Sequence, residues 1–283
     1  MKYLIYLFLL ILIFPDVNAT ELAPYSEFAK TYNAKEWEKN SRGRISEKYS
    51  YRIDVNEGES TKQLISKEYF DEMGKTIKFE SIDYYGVVQV VATYRYNQEN
   101  MLMEIEEKDS FRTIVQKQTF NYDPFGKLVR VNATGFNDVF IQSLNFEYLP
   151  EKSVVIESVK DSSQKVLSYT VHLYDTTFNR IIKSTNYTKD NEMDGLTAIF
   201  YDKNGINSRE IYAKNIDEPY KIKYQNAYDE KGNLTEVKNI SFPNVLLVTV
   251  KHDYNEMDLI TSTTMYDTKE EVITRLEYEY VLR

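Results

Sequence analysis

From about residue 45 to the end of the chain, apolar and polar positions alternate with a period of two. Strands with one packed and one wet face read this way. The alternation is clearest where a run ends on an aromatic residue: Phe70, Tyr96, Tyr122, Tyr148, Tyr174, Tyr201, Tyr228, Tyr254 and Tyr280. Two residues before the last eight of these stand Tyr94, Phe120, Phe146, His172, Ile199, Asn226, His252 and Tyr278. The positions between are Arg95, Asn121, Glu147, Leu173, Phe200, Ala227, Asp253 and Glu279, five of the eight polar or charged. The anchors recur at intervals of 26, 26, 26, 26, 27, 27, 26 and 26 residues, a regularity that marks a repeat architecture.

A turn follows the anchors. It reads Asp123-Pro124-Phe125-Gly126, Asp202-Lys203-Asn204-Gly205 and Asp229-Glu230-Lys231-Gly232 in the fullest copies. Asp folds its side chain back onto nearby N–H groups, Pro presets φ, and Gly accepts the positive φ that closes a tight hairpin. Asp123, Asp202, Asp229, Gly74, Gly126, Gly205 and Gly232 are therefore read as structural turn residues. Asn97 to Asn100 and Asn255 to Asp258 are poorer copies, and Leu149-Pro150-Glu151-Lys152 is weaker still. Further turn signals lie about halfway between anchors, at Asn56-Glu57-Gly58, Asp83 to Gly86, Gly135 to Asp138, Asp161-Ser162-Ser163 and Pro243-Asn244. Each repeat is then one strand out and one back, roughly 9–10 residues or about 30 Å each. The expected fold is all-β, a meander of about 17–18 antiparallel strands over residues 45–283. A one-sided sheet this wide twists and needs a cover for its aromatic face, so it must roll or close like a barrel. The anchors should face inward.

The N-terminus departs from this pattern. Lys2, the apolar run Tyr3 to Phe14 and the small-residue site Val17-Asn18-Ala19 read as a signal peptide over 1–19, cleaved after Ala19. Such a run is shorter than the ~20 residues a spanning helix needs. Residues 20–44 read as a helical segment with Ser26 as N-cap, Phe28, Tyr32 and Trp37 near one face, and Ser41-Arg42-Gly43 at its end. That segment should cover an end or the inner face of the roll. The chain is expected in the periplasm or outside the cell.

Composition narrows the partners. There is no Cys, so neither disulfides nor thiolate metal sites contribute. A net charge of −9 excludes a nucleic-acid partner and disfavours anionic membrane surfaces.

Tyr-Asp-x-x-Gly-x-Leu, in YDEKGNL at 228–234 and YDPFGKL at 122–128 and less completely in YDKNGIN at 201–207, resembles the YD repeat of Rhs-type and teneurin-type proteins. It is also similar to short secreted bacterial proteins built from the same units. The resemblance spans about residues 60–283 and implies a rolled, many-stranded sheet. The toxin cargo and self-cleaving aspartyl segment of the long family members have no counterpart in this chain.

Candidate chemistry is sparse. His172 and His252 stand two residues before anchors, where other repeats carry aromatics, and lie about six strands or roughly 29 Å apart around the sheet at ~4.8 Å per strand. They read as core substitutions rather than a shared metal site. The recurring Asp residues, Asp175 among them, fit turn chemistry better than calcium, which needs denser oxygen ligands. No nucleophile elbow, phosphate loop or zinc-protease helix is present. A carboxylate pair for glycoside hydrolysis stays open, with nothing to single one out. The 25 tyrosines either fill the roll or offer a platform for a glycan or peptide. The reading favoured is a non-catalytic extracytoplasmic binding or structural scaffold without metal or cofactor. The alternatives are an outer-membrane β-barrel and a hydrolase on the same frame.

Overall fold

The computed structural model describes residues 36–56, 59–176, 180–202, 207–215, 217–241 and 245–283. The leader over 1–19, Phe28, Tyr32 and Gly205 lie outside the described residues. One short helix, α1, covers 36–42. Then come β1 (Ile45–Asn56), β2 (Glu59–Phe70), β3 (Thr76–Ile82), β4 (Val88–Tyr96), β5 (Leu102–Asp109) and β6 (Ile114–Tyr122). The chain continues with β7 (Leu128–Gly135), β8 (Phe140–Leu149), β9 (Val154–Lys160), β10 (Val166–Tyr174), β11 (Ile181–Thr188) and β12 (Met193–Tyr201). It ends with β13 (Asn207–Ala213), β14 (Lys221–Tyr228), β15 (Leu234–Ser241), β16 (Val245–Tyr254), β17 (Ile260–Tyr266) and β18 (Val272–Leu282).

Every strand pairs antiparallel with its sequence neighbours, and β1 also pairs β18 with Ser50 opposite Tyr278. The sheet is a closed barrel of 18 strands in simple up-and-down order. Closure follows from what ends each hairpin. The register slips at the anchor in pair after pair, between Arg95 and Tyr96, Asn121 and Tyr122, Asp253 and Tyr254. It slips again at the opposite end, between Ser81 and Ile82, Glu107 and Lys108, Met265 and Tyr266. Each slip is a bulge that bends the strand and adds twist, so the ribbon curls until its two edges meet. The ends are tied as well: Arg283 N–H donates to the Arg44 carbonyl at 2.8 Å, and its guanidinium donates to the carbonyls of Phe70 and Asp71.

Both sets of turns share one design. At the anchor end, Phe125 N and Lys127 N donate to Asp123 Oδ1 at 2.9 and 2.8 Å, and Gly126 N to the Asp123 carbonyl at 3.0 Å. At the far end, Phe111 N and Thr113 N donate to Asp109 Oδ1 at 2.9 Å, and Arg112 N to the Asp109 carbonyl at 2.9 Å. Asp83, Asp161 and Asp267 repeat the pattern. The structural unit is thus one strand and one turn, half the interval between anchors. The 27-residue step from Tyr174 to Tyr201 has a local cause: Asp175 N bonds to the carbonyl of Arg180, one residue further on than in its sister turns.

Paired residues share a face, and the anchors line the inner one. Trp37 of α1 meets the Tyr96 ring edge-on with centroids 5.7 Å apart, and Lys39 of α1 lies over the Tyr254 ring. Tyr96 and Tyr254 are on β4 and β16, and a helix of two turns can touch both only from the concave side. The core follows that side: Phe120, Leu128, Val131, Phe146, Val155, Tyr174 and Ile181 form one buried cluster, and Ile45, Phe70 and Leu259 a second.

Candidate binding surface on the inner wall

Six of the nine anchors hold the barrel through their hydroxyls. The hydroxyls of Tyr96, Tyr122, Tyr148, Tyr201, Tyr254 and Tyr280 donate to the carbonyls of Thr76, Leu102, Leu128, Ile181, Leu234 and Ile260, at 2.7–3.0 Å. Each partner lies 20 residues earlier, at the start of the neighbouring strand. The ring fills the interior while the hydroxyl satisfies a carbonyl freed by the turn. Gly74, Gly126 and Gly232 take φ of +78°, +76° and +87° in their turns. Asp229 accepts from Lys231 N and Asn233 N, as Asp123 does in its own turn. Asp202 heads the turn whose remainder, with Gly205, is outside the described residues.

One level inward from the anchors, the wall changes chemistry around the barrel. Over β4–β8 it is apolar, with Tyr94 opposite Ile105 and Phe120 opposite Val131. From β9 round to β1 it is largely polar, bringing Glu157, His172, Ser184, Glu210, Asn226, His252, Thr263, Tyr278 and Ser50 to one arc. His172 Nδ1 lies 2.9 Å from Ser184 Oγ, and its Nε2 lies 3.5 Å from Glu157 Oε2. On the same three strands, Thr170 Oγ1 donates to Asn186 Oδ1 at 2.9 Å. His252 Nδ1 lies 3.0 Å from Thr263 Oγ1, which also accepts from the Tyr278 hydroxyl at 3.2 Å. Glu210 is buried and accepts from Asn207 Nδ2 at 2.9 Å. Burial holds the Lys223 ammonium below its ordinary range, partly offset by Glu210, and pushes the Tyr224 hydroxyl up. Glu107, facing the lumen from β5, is pushed up by burial alone.

The two histidines occupy equivalent sites, each bonded to a hydroxyl directly opposite on the next strand. His172 also faces a carboxylate, that of Glu157 on β9. Ser184, His172 and Glu157 form a hydroxyl–imidazole–carboxylate series, the groups of a nucleophilic triad. The strand N–H groups around them are spent in the ladder, so the backbone donors that usually build an oxyanion hole are already paired there. The arc offers hydrogen bonds and negative charge instead. Among the described residues no group of three His, Cys, Asp or Glu could hold a metal ion.

Sequence reading missed how the polar arc assembles. His172 and Ser184 are 12 residues apart, and only the register of β10 against β11 sets them opposite one another. It also missed the outer wall, where ion pairs cross the strands, Lys62 with Glu277 and Glu279, Arg95 and Lys117 with Glu104, and others run along one strand, Lys108 with Glu106. Lysines cover outer tyrosines there, Lys67 over Tyr49 and Lys78 over Tyr69, whose hydroxyl is pushed up to about 12 by burial and by Glu80. The alternation of charge at these positions was the available signal.

Fold and inner wall together define an up-and-down β-barrel with an aromatic-latched end and a half-polar lumen. No family model matches the chain, and no curated protein matches it. The likeness to YD-repeat proteins therefore rests on the motif. Among solved structures, the chain is similar to a porin-like protein from Bacteroides uniformis at 10% identity and a TM-score of 0.43, covering 84% of this chain and 98% of that one. A porin-like protein from Bacteroides vulgatus gives 13% identity and a TM-score of 0.39 over 84% and 98%. A TcdB2-TccC3-Cdc42 complex gives 11% identity and a TM-score of 0.30 over 79% of this chain and 12% of that one.

Proposed function

We propose that this protein is an extracytoplasmic, non-catalytic binding barrel that receives a neutral or basic glycan or peptide against the polar arc of its inner wall. The observation that carries the reading is that arc: hydrogen-bonding side chains and two carboxylates gathered on one side of the lumen, one level in from the anchors, while the wall of β4–β8 is apolar at the same level. Binding sites combine apolar contact with a few fixed polar groups in this way. The acidic balance of the chain favours neutral or cationic ligands. The targeting segment read at residues 1–19 supports export.

Calorimetric titration with cell-wall glycan fragments and basic peptides tests the reading. A Thr170→Val/Asn186→Leu variant is expected to lose saturable binding at least tenfold, while Tyr187→Ser on the outer wall leaves it unchanged. Loss through the outer-wall variant alone, or turnover of any ligand, would reject it.

A second reading is an outer-membrane barrel, favoured by a closed sheet with no free edge. The outward ion pairs of β2–β6 count against it, because a lysine facing lipid at mid-bilayer costs about 2–4 kcal/mol. Release from cells without detergent supports the binding barrel; a requirement for detergent supports the membrane barrel.

A further inference from the structure

The far rim of the barrel, opposite α1, is divided. Three adjacent hairpins, β3–β4, β5–β6 and β7–β8, end in apolar tips: Tyr84 and Tyr85 are 72% and 85% exposed, Phe111 86%, Phe136 59% and Val139 64%. Neighbouring hairpins lie two strands apart, so the three tips form an arc of about 20 Å at ~4.8 Å per strand. The next far-end tips carry Ser162 and Ser163 after β9, and Lys189 and Asp190 after β11, while further round Tyr220, Val245, Val272 and Ile273 are only half-exposed, at 50–54%. Exposed apolar tips at the α1 end, Met73, Phe125 and Met257, come one to a hairpin and are separated by other hairpins.

The geometry points to end-on docking of this apolar arc onto a lipid bilayer, with the tips entering the headgroup layer and the barrel standing above it. Charge selects this partner. Asp83 and Asp109 turn their carboxylates back onto the N–H groups of their own turns, and Asp138 lies within electrostatic reach of Lys117. Arg112 beside Phe111 can meet a lipid phosphate. Aromatic and aliphatic side chains mixed with tyrosine hydroxyls suit the boundary between headgroups and acyl chains. A zwitterionic bilayer also avoids the repulsion that the net charge of −9 creates with anionic lipid.

Flotation with phosphatidylcholine vesicles is the test. Wild-type protein should float, and Tyr85→Ser/Phe111→Ser/Phe136→Ser should reduce the bound fraction at least tenfold with unchanged circular dichroism. Phe111→Ser alone should give a smaller loss, and Phe125→Ser at the other end none. Brominated lipid should leave Trp37 fluorescence unquenched, since Trp37 sits a full strand length from the docking rim. Alkaline carbonate should release the protein. Wild type failing to float, Phe125→Ser matching the triple variant, quenching of Trp37, or retention after carbonate would each overturn the proposal. So would loss of soluble glycan binding by the triple variant without any vesicle binding, which assigns the tips to a glycan.

Discussion

The two ends of the barrel are built from the same turn and are held differently. At both ends an Asp or Asn side chain accepts two backbone N–H groups, and the fourth turn residue takes a positive φ. At the anchor end a tyrosine latch secures the hairpins, and α1 bridges two turns: Asn40 Nδ2 donates to the Gly74 carbonyl, Ser41 Oγ to the Glu72 carbonyl and Lys39 Nζ to Asn233 Oδ1. Lys75, buried beside Trp37 and Tyr96, donates to Asn100 Oδ1 at 2.8 Å and joins the β2–β3 turn to the β4–β5 turn. At the far end α1 has no counterpart among the described residues, and the tips reach outward. One end is braced by the helix and the hydroxyl latch, and the other presents surface.

A pair of glycines can break this comparison. A Cβ at Gly74 would run into the Trp37 carbonyl and stand 2.7 Å from Ser41 N, whereas a Cβ at Gly86 meets nothing within 4 Å. Both have a φ near +80°. Gly74→Ala should therefore destabilise by about 2 kcal/mol or more, adding overpacking to left-handed strain. Gly86→Ala should cost only about 1 kcal/mol. Denaturant midpoints of the two variants decide it, and equal losses would remove α1 from the account.

The latch predicts a similar contrast on a smaller scale. Tyr148→Phe keeps the ring and leaves the Leu128 carbonyl without its hydroxyl donor, for an expected loss of about 0.5–1.5 kcal/mol. Tyr85→Phe at the far tip, fully exposed, should leave the midpoint within about 0.5 kcal/mol of wild type. Far-end turns also carry non-glycine residues where glycine fits, such as Glu270 at φ 63°. Glu270→Gly relieves left-handed strain and adds unfolded-state entropy, for a net gain of less than about 1 kcal/mol, read as a raised melting temperature.

The smallest effect concerns the lumen. Burial raises the Glu107 carboxyl, so the unfolded chain ionises first and the native state loses stability as pH rises through the ordinary value of 4.5. Glu107→Gln should be more stable than wild type at neutral pH, and the advantage should vanish below that value. A pH-independent difference would point to packing instead.

Much of this was legible in the residues. The period of the aromatic anchors and the Asp-led turns gave the meander and its strand count, because both are local: they depend on one hairpin at a time. The far-end turns were only partly legible. Asp109 to Thr113 and Asp267 to Glu271 place Arg112 and Glu270 where a glycine would have announced the turn. The tyrosine hydroxyls were legible as interior groups, but their carbonyl partners were not, since the bond depends on the bulge register at each anchor.

By itself the sequence determined which residues form strands, where the chain turns and which residues share a face, since period-two alternation and turn chemistry act over a few residues. Only the tertiary structure decided that β1 meets β18 across the length of the chain, and that Glu157, His172 and Ser184 stand together in the lumen. Those outcomes depend on twist and register summed over all 18 strands, and no single repeat contains that sum.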